Sequence, residues 1–131
     1  MTPPALNKIL YVEDDADIQA VAKMALEVVG GYTLEVCSSG QEALDVVATF
    51  VPDLILLDVM MPGMDGPTTL TRLRSLPGLE ATPAIFMTAK VMPSDVVRYK
   101  ELGAVDVIAK PFDPMELGVR IQEIWSQCHG E

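Results

Sequence analysis

The stretch Leu54-Ile55-Leu56-Leu57-Asp58 decides how the chain folds. Large apolar residues run without interruption and end in a carboxylate. A run this short, with no polar alternation, predicts a strand buried on both faces of a parallel sheet. Asp58 then stands where the strand leaves the sheet. In open α/β sheets, ligands bind outside the carboxyl ends of the strands. The following residues, Val59 to Gly66, carry Pro62-Gly63 and Asp65-Gly66, which mark a loop. Taken alone, Asp58 reads equally well as a turn cap, because aspartate is common in turns.

The same arrangement recurs on either side. Toward the N-terminus, Ile9-Leu10-Tyr11-Val12 reads as a buried strand and runs into Glu13-Asp14-Asp15. Ile18, Val21, Ala22, Ala25, Leu26 and Val29 then recur at helical spacing until Gly30-Gly31. Tyr32 to Cys37 alternates and is rich in β-formers, which predicts a second strand. Ser39 and Glu42 have capping-box spacing, and the helix they open carries Ala43, Leu44, Val47 and Ala48 on one face. Pro52-Asp53 breaks the chain before Leu54. Residues 1–7, with Pro3 and Pro4, read as a short tail.

Toward the C-terminus, Leu70 and Leu73 with Arg72 and Arg74 predict a more exposed helix, ended by Pro77-Gly78. Ala84 to Met87 is a fourth strand, followed by Thr88. Pro93-Ser94-Asp95 opens a helix to about Leu102, with Val96, Val97 and Tyr99 as its apolar residues and Gly103 after it. Val105 to Ala109 is a fifth strand and runs into Lys110-Pro111-Phe112. Asp113-Pro114-Met115-Glu116 starts a last helix, which turns Leu117, Ile121, Ile124 and Trp125 toward a core. Strand and helix alternate throughout. That pattern predicts a three-layer α/β/α fold, a parallel sheet covered on both faces through right-handed crossovers.

The length of 131 residues fits one domain, here the whole of residues 1–131 with a core from about Lys8 to Trp125. Half the residues are hydrophobic, which argues against disorder. Nine basic residues against 19 acidic ones give a net charge of −10. That excess disfavours direct binding to nucleic acid or to an anionic membrane, and favours cations or basic partners. Cys37 and Cys128 lack metal-type spacing and read as reduced thiols of a cytoplasmic protein. No apolar run approaches a membrane span, and the start has no secretory signal pattern.

In a parallel sheet the residues after each strand share one rim. Glu13, Asp14 and Asp15 follow the first strand, Asp58 closes the third, and Thr88 and Lys110 follow the fourth and fifth. Each has a simpler explanation on its own: a helix N-terminus favours acids, threonine suits a turn, and a lysine can be merely solvated. Together they make a chemical set. Crowded carboxylates require compensation, and Mg²⁺ prefers one or two carboxylates plus phosphate oxygens. A carboxylate beside Mg²⁺ and a lysine is suited to attack a phosphoryl group and form an aspartyl phosphate. The cation and Lys110 would neutralise charge on the transferring oxygens, and Thr88 would hydrogen-bond one of them.

These residues carry a resemblance to the response-regulator receiver domains of two-component signalling. The matching segments are Val12-Glu13-Asp14-Asp15, Leu56 through Asp58 to Gly66, Met87-Thr88-Ala89, and Gly103 to Asp106 with Lys110-Pro111-Phe112. Four motifs in order, over roughly Lys8 to Trp125, make the resemblance specific. It implies a flavodoxin-like, doubly wound sheet of order 2-1-3-4-5. It implies that Asp58 accepts the phosphoryl group from a phosphohistidine on a histidine kinase or phosphotransfer protein. Glu13, Asp14, Asp58 and the backbone carbonyl of Met60 would hold Mg²⁺ or Mn²⁺, with Asp14 the direct ligand of the acidic pair. Asp15 would begin the first helix, Thr88 would be the switch hydroxyl, and Lys110 would contact the phosphoryl group. The family usually has a cis peptide at the position of Lys110-Pro111. One position departs from the pattern: Val107 stands where the family usually has an aromatic residue.

The resulting expectation is a signalling module, not a turnover enzyme. It would take part only in its own phosphorylation and slow dephosphorylation. Output would run by protein contact to a downstream target or through a phosphorylation-dependent dimer, since no DNA-binding module follows the last helix. One rival is a phosphohydrolase with Asp58 as nucleophile. Many such enzymes place a second acid two residues on, where this chain has Met60. The other rival is a receiver-like binding module cut from a larger regulator or hybrid kinase; it would lack an acceptor, a metal acid or the lysine, and none is missing.

Overall fold

The structure is a computed structural model and describes residues 5–129. The Pro3-Pro4 part of the expected tail lies outside the described residues. Strands β1 (Lys8–Val12), β2 (Thr33–Cys37), β3 (Leu54–Asp58), β4 (Ala84–Thr88) and β5 (Asp106–Ala109) form one sheet of order β2-β1-β3-β4-β5. All neighbours pair in parallel. The all-apolar runs became the interior strands because both of their faces are covered: every residue of β3 and β4 is buried. Edge strand β2 is only half-buried over most of its length, in keeping with its alternating sequence.

The helices are α1 (Ala16–Lys23), α2 (Gly40–Val46), α3 (Gly66–Arg74), α4 (Pro93–Glu101) and α5 (Leu117–His129). Alternation along each strand divides the core in two. Leu10, Val12, Ile55, Leu57, Phe86 and Val107 point toward α2, α3 and α4, where they meet Ala43, Leu70, Leu73 and Tyr99. Ile9, Tyr11, Leu54, Leu56, Ile85, Met87 and Ile108 point the other way, toward Ala22 and Leu26 after the first strand and Leu117, Ile121, Ile124 and Trp125 of α5. Fully burying each such aliphatic or aromatic side chain stabilises the fold by roughly 1.5–3 kcal/mol.

Several local features depart from the sequence expectations. The first helix does not stay α-helical to Val29: residues Met24–Val29 form a π-helical stretch, closed by a bond from Gly30 N to Ala25 O (3.0 Å). The wider turn rotates Val29 off the face that buries Ala22, Ala25 and Leu26, so Val29 is exposed. Ser39 Oγ accepts from Glu42 N as expected (3.2 Å), but Glu42 Oε1 accepts from Ser38 N (2.9 Å), one residue before the cap. Residues 113–116 form a turn in which Asp113 Oδ1 accepts from Met115 N, and regular α5 begins at Leu117. α3 is packed more closely than its arginines suggest, because Arg74 donates to the carbonyls of Leu79 (2.9 Å) and Thr82 and so binds the helix end to the approach of β4. In α4, Tyr99 is buried edge-on against Phe86, with ring centroids 5.5 Å apart. Val97 lies two residues away, on the opposite side of the helix, and is exposed.

Candidate functional site

Register builds the site. Tyr11 of β1 stands opposite Leu56 of β3, so Glu13 and Asp58, each two residues further on, emerge side by side on the α1–α5 face. Asp58 is paired with Met87 on β4, and Thr88 with Ala109 on β5. The backbone continues this order past the strand ends: Glu13 N bonds Cys37 O (3.0 Å), Val59 N bonds Met87 O (3.1 Å) and Lys110 N bonds Thr88 O (2.9 Å). All the strand-end residues singled out in the sequence therefore lie on one rim.

Lys110 Nζ bridges the two buried acids, 2.9 Å from Asp58 Oδ1 and 3.1 Å from Glu13 Oε1. The peptide bond between Lys110 and Pro111 is cis, as the resemblance implied. Glu13 and Asp58 are only 1% and 2% exposed, whereas Asp14 is exposed. One carboxylate oxygen from each of Glu13, Asp14 and Asp58 can be chosen so that all lie within 4.8 Å of one another. This is the spacing of a single-ion site built from hard oxygen donors, which fits Mg²⁺. Asp15 is not part of it: its Oδ1 caps α1 by accepting from Asp17 N (2.9 Å) and Ile18 N (3.2 Å).

The electrostatics are those of acids removed from water. Burial raises the Glu13 pKa, as does the Asp58 charge, against the lowering effects of the Asp15 N–H and Lys110. Burial likewise raises Asp58; Lys110 opposes this, and the Asp14 charge adds to it. For Lys110, burial alone would lower the pKa, but its bonds to Asp58 and Glu13 outweigh that and the net shift is upward. The Lys110 charge is therefore fixed, while the acids lack one compensating charge.

Thr88 closes β4, 2% exposed, and its Oγ1 accepts from Lys90 N at 3.1 Å. The Met60 side chain points to solvent at the mouth of the site, 69% exposed. Gly66 opens α3 directly behind Asp58. A Cβ there would lie 2.5 Å from Asp58 O and 2.9 Å from Val59 Cα, so only glycine permits the loop to fold this tightly under the acid. A hollow of about 240 Å³ lined by Ile18, Val21, Pro111 and Phe112 borders Lys110.

One group was not singled out as functional in the sequence. Tyr11 is fully buried in β1, and its hydroxyl is the only buried side-chain polar atom without a hydrogen bond among the described residues. An unpaired buried hydroxyl costs roughly 1–3 kcal/mol. In sequence, Tyr11 looks like any other apolar strand residue, and only its neighbours in space set it apart.

Comparison with known proteins agrees with this geometry. The family model for the response regulator receiver domain matches residues 9–122. The transcriptional regulatory protein CpxR of Escherichia coli (strain K12) is 41% identical over 124 residues, covering 95% of this chain and 51% of its own length. DltR of Streptococcus agalactiae serotype III (strain NEM316), also a transcriptional regulatory protein, is 43% identical over 115 residues, covering 88% and 50%. The chain thus spans about half the length of these curated relatives. The solved structure of the chemotaxis protein CheY4 of Vibrio cholerae superposes with a TM-score of 0.84 at 30% identity, covering 92% of this chain and 99% of that one. A parallel sheet of order 2-1-3-4-5, an acid cluster at its carboxyl rim and a family match across nearly all of β1 to α5 have one reading: the chain belongs to the response regulator receiver domain family.

Proposed function

We propose that Asp58 accepts a phosphoryl group from a phosphohistidine donor and that Glu13, Asp14, Asp58 and the Met60 carbonyl hold the Mg²⁺ this requires. The observation that carries the reading is the placement of Asp58, buried at the end of the central strand with Lys110 on one of its oxygens. The other oxygen of that carboxylate is left to attack. A bond forms between it and phosphorus as the phosphorus–nitrogen bond of the donor breaks, and the electron pair leaves on the imidazole nitrogen. Bound Mg²⁺ would draw charge from the phosphoryl oxygens. Lys110, already charged, turns from Asp58 to an equatorial oxygen, and the Thr88 hydroxyl donates a hydrogen bond to another. The apolar hollow beside Lys110 suits a donor protein that buries a few aliphatic side chains there. Slow loss of the phosphoryl group to water would complete the cycle, with no other turnover. The cytoplasm is the compartment where a kinase donor and reduced thiols coexist. Among the described residues, no helix is long and apolar enough to cross a membrane.

The test is incubation with acetyl phosphate and Mg²⁺, followed by trapping and mapping of the modified residue. Label on Asp58 in the wild type, none in Asp58→Asn or in chelator, and none in a folded Asp14→Ala is expected. Label at wild-type level in Asp58→Asn would refute the assignment.

A further inference from the structure

Tyr11 is unusual for a residue of the buried sheet. A phenylalanine would fill the same space between the first helix and α5 without leaving an orphaned hydroxyl. The side chain lies on the same face of β1 as Glu13, two residues on. The phenol has no hydrogen-bond partner, although the Glu13 charge acts on it. Glu13 already has one donor on each oxygen, Lys110 Nζ on Oε1 (3.1 Å) and Asp15 N on Oε2 (3.1 Å). A carboxylate can accept about four bonds, so it has room for another.

The Lys110 bond is the one that does not last. Under the function proposed above, on which this inference rests, Lys110 turns to a phosphoryl oxygen, and Glu13 Oε1 then loses its donor inside a buried site. A buried carboxylate that loses a hydrogen bond must find another or give up its charge. Among the described residues, Tyr11 Oη is the one buried side-chain polar atom left unpaired, and it lies two residues before Glu13 on the same side of the strand. We propose that Tyr11 is a positioning residue for the acidic pocket, its hydroxyl donating to Glu13 from within the core and holding that carboxylate toward the cation site when Lys110 is engaged elsewhere. Burial, with the Glu13, Asp58 and Asp15 charges, raises the Tyr11 pKa, so the phenol keeps its proton and remains a donor. The hydrogen bond behind a metal-site ligand typically changes metal affinity by about 10–100-fold.

The experiment is a Mg²⁺ titration of the whole chain with beryllofluoride present as the phosphoryl mimic that draws Lys110 away, followed by backbone amide shifts of Glu13 and Asp58, for wild type, Tyr11→Phe, Glu13→Gln and the double variant. Tyr11→Phe should bind Mg²⁺ about tenfold more weakly, while its thermal melt without metal stays at or above that of wild type. In the Glu13→Gln background the same substitution should change affinity less than twofold, because the partner is already gone. Equal affinity of wild type and Tyr11→Phe would overturn the role of Tyr11 and leave the proposed function standing. An undiminished tenfold loss in the Glu13→Gln background would also overturn it. A wild type that binds no Mg²⁺ would overturn both.

Discussion

The ammonium of Lys110 lies 2.9 Å from the carboxylate of Asp58, although the two residues are 52 positions apart. The sheet register alone brings them together, and the same ammonium also reaches Glu13. A buried acid pair that shares one cation depends on it: removing one partner of a buried ion pair typically costs 3–5 kcal/mol.

Lys110→Met should therefore destabilise the metal-free domain by about 3 kcal/mol at neutral pH, read from urea unfolding. The loss should shrink in mild acid, where the stranded carboxylates take up protons. A variant as stable as wild type at neutral pH would show that the pair is screened by water.

The pH dependence has a definite sign. Burial raises Glu13 and Asp58 above ordinary carboxylates, so across this range the folded chain binds protons that the unfolded chain releases. Their contribution is fully present below the ordinary carboxylate pKa, about 4, and is lost as pH rises through the raised values. In chelator, unfolding free energy should fall between weakly acidic and neutral pH. Mg²⁺ should flatten or reverse that slope, because it binds the deprotonated acids. Asp58→Asn should weaken the slope, and a slope unchanged in that variant would assign it to other groups.

Gly66→Ala tests a position with no chemistry of its own. The added methyl would meet the Asp58 carbonyl and the Val59 backbone, neither of which is a flexible side chain. Overpacking of this kind costs roughly 1–3 kcal/mol. Phosphorylation of Asp58 should fall with stability, because relief of the clash must move the acceptor backbone. Full labelling at wild-type rate would mean that the loop, and not the strand end, absorbs the strain.

Thr88 connects the site to the surface. Its hydroxyl oxygen accepts from Lys90 N in the loop that leads to α4. Rotation of Thr88 toward a phosphoryl group would break that bond and shift loop residues 89–92, including exposed Val91 and Met92. Beryllofluoride should move the amide resonances of residues 89–102 in wild type and leave those beyond the pocket unmoved in Thr88→Ala. Identical shifts in both proteins would exclude Thr88 as the link. Val107 has few rotamers to offer such a movement, and the aromatic residue beside it is Phe86, its partner on β4, against which Tyr99 of α4 packs edge-on.

The fold was legible wherever the sequence had a single way to satisfy burial. Leu54 to Leu57 and Ala84 to Met87 have no polar face and so had to be interior strands, and their ends then located Asp58 and Thr88. What was hidden depended on groups distant in sequence. Glu13 and Asp14 are adjacent acids, yet one is buried on Lys110 and the other is exposed, a distinction made by the direction each takes as the strand ends. The π-helical turn after Lys23 was hidden because Val29 also fits an α-helical stripe. Pro114 offered a helix start, but Asp113 first makes a turn with its own side chain. The isolation of the Tyr11 hydroxyl has no sequence signal, since it consists of what is missing around it.

β3 is hydrogen-bonded to a neighbour along both edges and covered on both faces. Its amides can exchange with solvent only when most of the molecule opens, whereas the loops around it open by small local excursions. The Asp58 carboxylate therefore rides on one of the slowest-exchanging parts of the chain, whereas Lys110, just past edge strand β5, rides on a segment that yields sooner. Modification at Asp58 cannot be relieved by the strand that carries it. The adjustment passes outward to the rim, and hydrogen exchange before and after phosphorylation should change there while β3 keeps its protection.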